Sequence, residues 1–188
     1  MLHKQIFSLP VMVVAMLAVI AAVMIILVFR VENRYYPQIR EASARYGHDP
    51  RLVRALVKRE SNFRPDARGT KGEIGLMQVT PAIGREYAQA RRWKKFSTQA
   101  LFDPALNTEV GCWYLAKAMR RYRDFDDPVP FALAHYNAGP GNVDRWLRMT
   151  RTPGNSRQFL RAITYPSTRH YVRQITRRWR LYRWIRVL

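Results

Sequence analysis

Glu60 stands where a helical pattern calls for an apolar side chain. Leu52, Val53, Leu56 and Val57 form a stripe at the spacing of one helix face, and position 60 continues it. Arg51, Arg54, Lys58 and Arg59 fill the other positions, where they can stay in water. A carboxyl on the apolar side is partly desolvated, which disfavours its charged form and raises its pKa. A carboxylic acid kept protonated in this way can donate a proton near neutral pH. The competing reading is an ordinary helix-end glutamate paired with Arg64. Glu73, thirteen residues further on, is a second carboxylate. A pair of acids could activate water for glycoside hydrolysis by an inverting route.

These side chains need helices to hold them. Asp49-Pro50, Thr80-Pro81 and Asp103-Pro104 each place a capping residue before a proline, the signature of a helix start. The periodicity after them predicts helices over 50–60, 81–91 and 104–122. A further helix over 128–137 stops at the breaker cluster Asn137-Ala138-Gly139-Pro140-Gly141. Another begins near Asn142 and carries Val143, Trp146 and Leu147 on one face. Ser156 to Ile163 reads as a short helix, and the last helix starts near Ser167. Val31 to Tyr46 reads as a connector and first helix, and Glu73 to Val79 as a short extended piece. The class is mainly α, in one compact domain.

Composition narrows the function classes. Thirty-three Lys and Arg against thirteen Asp and Glu give 188 residues a formal charge of +20. Such an excess says nothing of fold, but it favours polyanionic partners: nucleic acid, anionic lipid or acidic wall polymer. Cys112 is the only cysteine, so no intrachain disulfide can form, and its helical context reads as a buried, inert thiol. Four scattered histidines lack metal-ligand spacing and no glycine loop for phosphate is present, so no metal or organic cofactor is expected.

Residues 6–29 contain no charge, and Val11 to Phe29 is unbroken apolar sequence. Nineteen residues at the helical rise reach about 30 Å, the thickness of a hydrocarbon core. The run ends Ile26-Leu27-Val28-Phe29-Arg30 without a small-residue cleavage site. Residues 1–30 are therefore expected to be an uncleaved N-terminal transmembrane anchor. Lys4 alone precedes the span, whereas Arg30, Arg34, Arg40 and Arg45 follow it. Charge bias taken alone would put the domain in the cytoplasm.

Four segments matter together: Leu56-Val57-Lys58-Arg59-Glu60-Ser61-Asn62-Phe63 with Pro65, Gly75-Leu76-Met77-Gln78-Val79-Thr80-Pro81, Ala132-Leu133-Ala134-His135-Tyr136-Asn137-Ala138-Gly139-Pro140-Gly141, and Ile163-Thr164-Tyr165-Pro166-Ser167-Thr168-Arg169-His170-Tyr171-Val172. In this order they resemble the catalytic domain of the soluble-lytic-transglycosylase family, relatives of goose-type lysozyme, over about residues 45–175. The resemblance implies a lysozyme-like α domain over 47–175, with a groove for the glycan strands of peptidoglycan. It implies Glu60 as sole catalytic carboxylate and Ser61, Met77, Gln78, Tyr136, Asn137 and Tyr165 as substrate-binding residues. Ser61 has two readings, positioning Glu60 or capping the helix end, and Asn137 also reads as a helix terminator. Tyr136 would aim its hydroxyl at Glu60 or the scissile sugar, and Tyr165 would close the far wall. The implied reaction leaves 1,6-anhydromuramic ends, with the domain outside the cytoplasmic membrane, against the charge bias. Family members usually carry a serine at the position of Gly69 and often a glutamate at that of Ser167. Thr70 either replaces the serine hydroxyl or that contact is missing.

The alternatives are a peptidoglycan hydrolase using Glu73 and a noncatalytic glycan-binding scaffold. In the last twenty residues, of which 176–188 are the basic aromatic helix end, Arg169, Arg173, Arg177, Arg178, Arg180, Arg183 and Arg186 interleave with Tyr171, Trp179, Tyr182 and Trp184. That helix would either meet anionic lipid or acidic wall polymer or dock on the core with its arginines solvated. No nucleic-acid-binding fold is recognisable, so no nucleic-acid partner is expected.

Overall fold

The computed structural model describes residues 9–184. The chain divides into two compact units between Tyr35 and Tyr36. The first holds one helix, α1 (Leu9–Arg34), of 26 residues. Its large apolar side chains are exposed along its length, Val14 at 66% and Val19 at 62% among them. Residues 31–34, expected as connector, continue this helix. Among the described residues, no helix is long and apolar enough to cross a membrane. The expected span includes residues 6–8, and side chains at 9, 25, 28 and 29, that lie outside that description.

The second unit is all-α, with eight helices among its described residues: α2 (Tyr36–Tyr46), α3 (Pro50–Glu60), α4 (Pro81–Ala90), α5 (Pro104–Arg121), α6 (Pro128–Ala138), α7 (Pro140–Arg148), α8 (Ser156–Ala162) and α9 (Pro166–Trp184). The three cap-proline signals act as read. Asp49 accepts from the Arg51 N–H at 2.9 Å, Thr80 from Ile83 at 3.3 Å and Asp103 from Leu106 at 2.7 Å. Asp127-Pro128 is a fourth such start, with Asp127 accepting from Val129 at 3.1 Å. Gly139 ends α6 at φ 81° and Pro140 opens α7 at once, two residues before the expected start. A 3-10 turn, Thr98–Phe102, has no counterpart in the sequence reading.

α5 and α6 form the centre. α5 packs on α2, α4 and α6, while α9 packs on both α3 and α6. Val110, Cys112 and Leu115 of α5 and Phe131, Ala132 and Leu133 of α6 are fully buried. A side-chain run apolar on every face, as in α6, suits a helix with neighbours all round. The expected extended piece, Glu73 to Val79, is one tight turn over 75–78 between isolated bridges that join Ile74 to Arg68 and to Val79.

One expectation is corrected on α3. The helical pattern sends Arg54 to water, yet it is 3% exposed, its guanidinium over the rings of Tyr36 at 5.6 Å and Tyr182 at 5.1 Å. Aromatic residues of α2 and α9 cover that face, and cation–π stacking replaces part of the lost hydration.

Candidate active site

Glu60 is the last residue of α3, where the chain turns into the loop that carries the Gly75–Pro81 motif. It borders a groove of about 300 Å³ lined by Gly69, Thr70, Lys71, Glu73, Gln78, Thr80, Ile83, Tyr136 and Asn137. Burial raises the Glu60 carboxyl from its ordinary 4.5 to about 7, opposed by a hydrogen bond from Tyr171 and by Arg59, and assisted by the charge of Glu73. The Tyr171 hydroxyl donates to Glu60 Oε1. Tyr171 is 2% exposed, and burial together with Glu60 keeps its phenol well above the usual range. It therefore stays a donor, and Oε2 is the oxygen left to carry a transferable proton.

The motif loop is held from behind. Asn107 of α5 is fully buried; its Oδ1 accepts from Met77 N–H at 2.8 Å, and its Nδ2 donates to the carbonyls of Ile74 and Leu101, each at 2.8 Å. Ser61 is also buried and donates to the Leu76 carbonyl at 2.9 Å, fastening the end of α3 to the loop. Its hydroxyl faces the protein rather than the groove. Met77 is buried, its side chain seated on Gly111, where a Cβ would lie 2.8 Å from Met77 Cβ. What Met77 turns toward Tyr136 is its carbonyl, which accepts from the Tyr136 hydroxyl at 2.9 Å.

Gln78 sits at φ 49° and donates its amide to the Ala67 carbonyl at 3.2 Å and to Gly75 at 3.1 Å. Its side-chain oxygen accepts nothing from those partners and is available in the groove. Tyr136 is partly buried, and its phenol is held well above the usual range by burial and then by Glu60. Asn137, beside it, accepts from Thr168 of α9 at 2.8 Å. Tyr165 is 42% exposed and meets Trp146 edge-on at 5.3 Å; it is not among the side chains lining the groove around Glu60.

The structure thus gathers Glu60, Gln78, Tyr136 and Asn137 in one groove, with Ser61 and Met77 behind its wall and Tyr165 apart. Sequence reasoning missed two members. Tyr171 lies 111 residues from Glu60 and is written within the fourth segment. Asn107 gives only one sequence cue, an amide within an apolar helix pattern.

A family model for the Transglycosylase SLT domain matches residues 37–159, the stretch that includes Glu60, the motif loop and α6. The chain belongs to the SLT transglycosylase family. A membrane-bound lytic murein transglycosylase C from Serratia proteamaculans is 32% identical over 169 residues, which are 80% of this chain and 47% of that protein. An inactive glutamate-to-glutamine mutant of the lytic transglycosylase Slt from Pseudomonas aeruginosa superposes with TM-score 0.70 at 29% identity, over 78% of this chain and 23% of the other. The 70 kDa soluble lytic transglycosylase of Escherichia coli shares the fold at TM-score 0.72 and 24% identity, over 80% of this chain and 24% of the other. The chain therefore spans about half or less of these SLT relatives.

Proposed function

We propose that the chain is a membrane-anchored lytic murein transglycosylase, acting on peptidoglycan from the outer side of the cytoplasmic membrane. The observation that carries this reading is Glu60, a carboxyl shifted to about 7 by burial and oriented by Tyr171 at the edge of a groove. Such a group is protonated often enough near neutrality to act as general acid, and basic enough once ionised to act as general base.

The reaction follows from a single acid. Glu60 gives its proton to the oxygen linking muramic C1 to the next sugar, and the C1–O bond breaks with its electron pair leaving on that oxygen. The muramic C6 oxygen bonds to C1 and passes its proton to the Glu60 carboxylate. The acid is restored, a 1,6-anhydro ring forms and no water is consumed. A nucleophile tethered within the substrate takes the place of the second carboxylate that glycoside hydrolysis uses. Gln78, Tyr136 and Asn137 line the same groove and supply polar groups for the sugars.

Anchoring rests on α1. Within α1, the nineteen residues from Val11 to Phe29 reach about 30 Å at the helical rise, the thickness of a hydrocarbon core. The sequence from Val11 to Phe29 is wholly apolar, and the described side chains point outward unpacked. The exposed arginines of α9, Arg173, Arg177, Arg178, Arg180 and Arg183, add a surface for anionic headgroups or wall polymer. α9 itself is fastened down, with Val172 and Ile175 buried and Trp179 Nε1 donating to Asp49 at 2.9 Å.

The test is digestion of purified peptidoglycan by the full chain in detergent, beside Glu60→Gln. Soluble glycan released by the wild type and not by the variant supports the reading. Equal release by both would remove Glu60 from the chemistry. Protease shaving of spheroplasts tests the orientation: loss of the domain places it outside, and protection places it in the cytoplasm.

A further inference from the structure

We propose that Glu73 is a substrate-positioning carboxylate of this site, and that it reaches the groove only because residue 69 is glycine. This rests on the transglycosylase reading above and names a further residue for that reaction. Gly69 and Glu73 face each other across a tight turn, with the Gly69 N–H donating to the Glu73 carbonyl at 2.8 Å. Glu73 Oε2 accepts from the Lys71 N–H at 2.8 Å, which folds the side chain back over the turn. A Cβ built on Gly69 would lie 2.8 Å from the Glu73 carboxyl carbon, nearer still to Oε2, and 2.9 Å from Gln78 Oε1. A side chain at 69 would have to push the Glu73 carboxylate, and with it the Gln78 amide, out of these positions.

The space over residue 69 is therefore filled by an anionic acceptor carried from residue 73. Glu73, Gln78 and Glu60 line one groove, so that acceptor stands where a sugar beside Glu60 would present its hydroxyl and amide donors. A hydrogen bond to a charged acceptor is about twice as strong as one to a neutral hydroxyl. Glu73 also acts on the acid itself. The groups that bear on Glu60 are Tyr171 of α9, Arg59 of its own helix, Tyr136 of α6 and Glu73 of the loop, with Lys71 in the same groove. Of these, the Glu73 charge pushes the Glu60 carboxyl upward. One residue thus orients the substrate and helps keep the acid protonated.

The test is a cycle of four proteins as full chains in detergent: wild type, Glu73→Ala, Gly69→Ser and the double variant. Loss of one charged hydrogen bond in the transition state lowers kcat/KM by roughly 10- to 100-fold in Glu73→Ala. Gly69→Ser shows a loss several-fold smaller, because its side chain displaces the carboxylate but brings a hydroxyl in its place. The double variant is no worse than either single one, and the serine hydroxyl restores several-fold activity to Glu73→Ala. Costs that simply multiply would overturn the proposal.

Two readouts do not depend on turnover. Titration of the Glu60 carboxyl by 13C NMR moves downward in Glu73→Gln, a change of charge at constant shape. Binding of N-acetylglucosamine tetramer to Glu60→Gln weakens when Glu73→Ala is added. An unmoved Glu60 titration with unchanged tetramer binding would refute Glu73's role. A wild type that releases no product would count against the transglycosylase reading, while these two readouts still decide on Glu73.

Discussion

Holding a carboxyl ready to donate a proton costs the fold stability, and replacing Glu60 by glutamine measures that cost. Below pH 4.5 the group is protonated in both folded and unfolded chains and contributes no difference. As pH rises, the unfolded chain ionises first, while the folded chain keeps its proton until about 7. Over that window the unfolded state gives up more protons, so stability falls with rising pH and levels off above 7. A rise from 4.5 to about 7 corresponds to about 3 kcal/mol, trimmed to roughly 2–3 kcal/mol by partial solvent access. Glu60→Gln is isosteric and does not titrate. Its stability relative to the wild type must therefore climb by about 2–3 kcal/mol between pH 4 and pH 8, or roughly 5–10 °C in Tm for a domain this size. Urea unfolding followed by tryptophan fluorescence reads the domain alone, since all five tryptophans, from Trp93 to Trp184, follow Tyr36. Taking the difference between the two proteins cancels every other titrating group. Wild-type and variant curves that run parallel across this pH range would refute the assignment of a raised pKa to Glu60.

Other consequences follow from single contacts. Tyr171→Phe removes the donor to Glu60 Oε1, so kcat falls about tenfold and the alkaline limb of the pH–rate profile moves upward; an unchanged profile would remove Tyr171 from the site. Asn107→Ala strands the Met77 N–H and two carbonyls, which should cost at least about 3 kcal/mol in urea unfolding. Ser61→Ala loses the bond to the Leu76 carbonyl, so it should cost about 1–2 kcal/mol of stability while leaving the KM for glycan unchanged. Cys112 is fully buried and its thiol is pushed far up by burial, so Ellman's reagent should label it only after unfolding.

The helices were legible because their starts are written locally, as a capping side chain followed by proline. Glu60 was legible for a related reason, a charge set within an apolar period. What the sequence could not supply is which neighbour meets which face. The helical wheel sends Arg54 to water, and only the packing of α3 on α9 and α2 brings Tyr182 and Tyr36 over it. The same packing delivers Tyr171 to Glu60. The motif segments identified the loop that builds the groove without distinguishing its two sides. Gln78 turns outward through a left-handed backbone, whereas Met77 turns inward onto Gly111 and Ser61 ties the loop to α3. The 3-10 turn at Thr98–Phe102 escaped because five residues carry too little periodicity to register.

In the proposed reaction Glu60 alone drives an intramolecular displacement at the muramic C1. Mass spectrometry of the muropeptides released from peptidoglycan by the full chain tests it most directly. The expected termini are lighter by one water than reducing muramic acid, resistant to borohydride and absent from the Glu60→Gln digest. Reducing termini that incorporate 18O from labelled water would contradict that displacement.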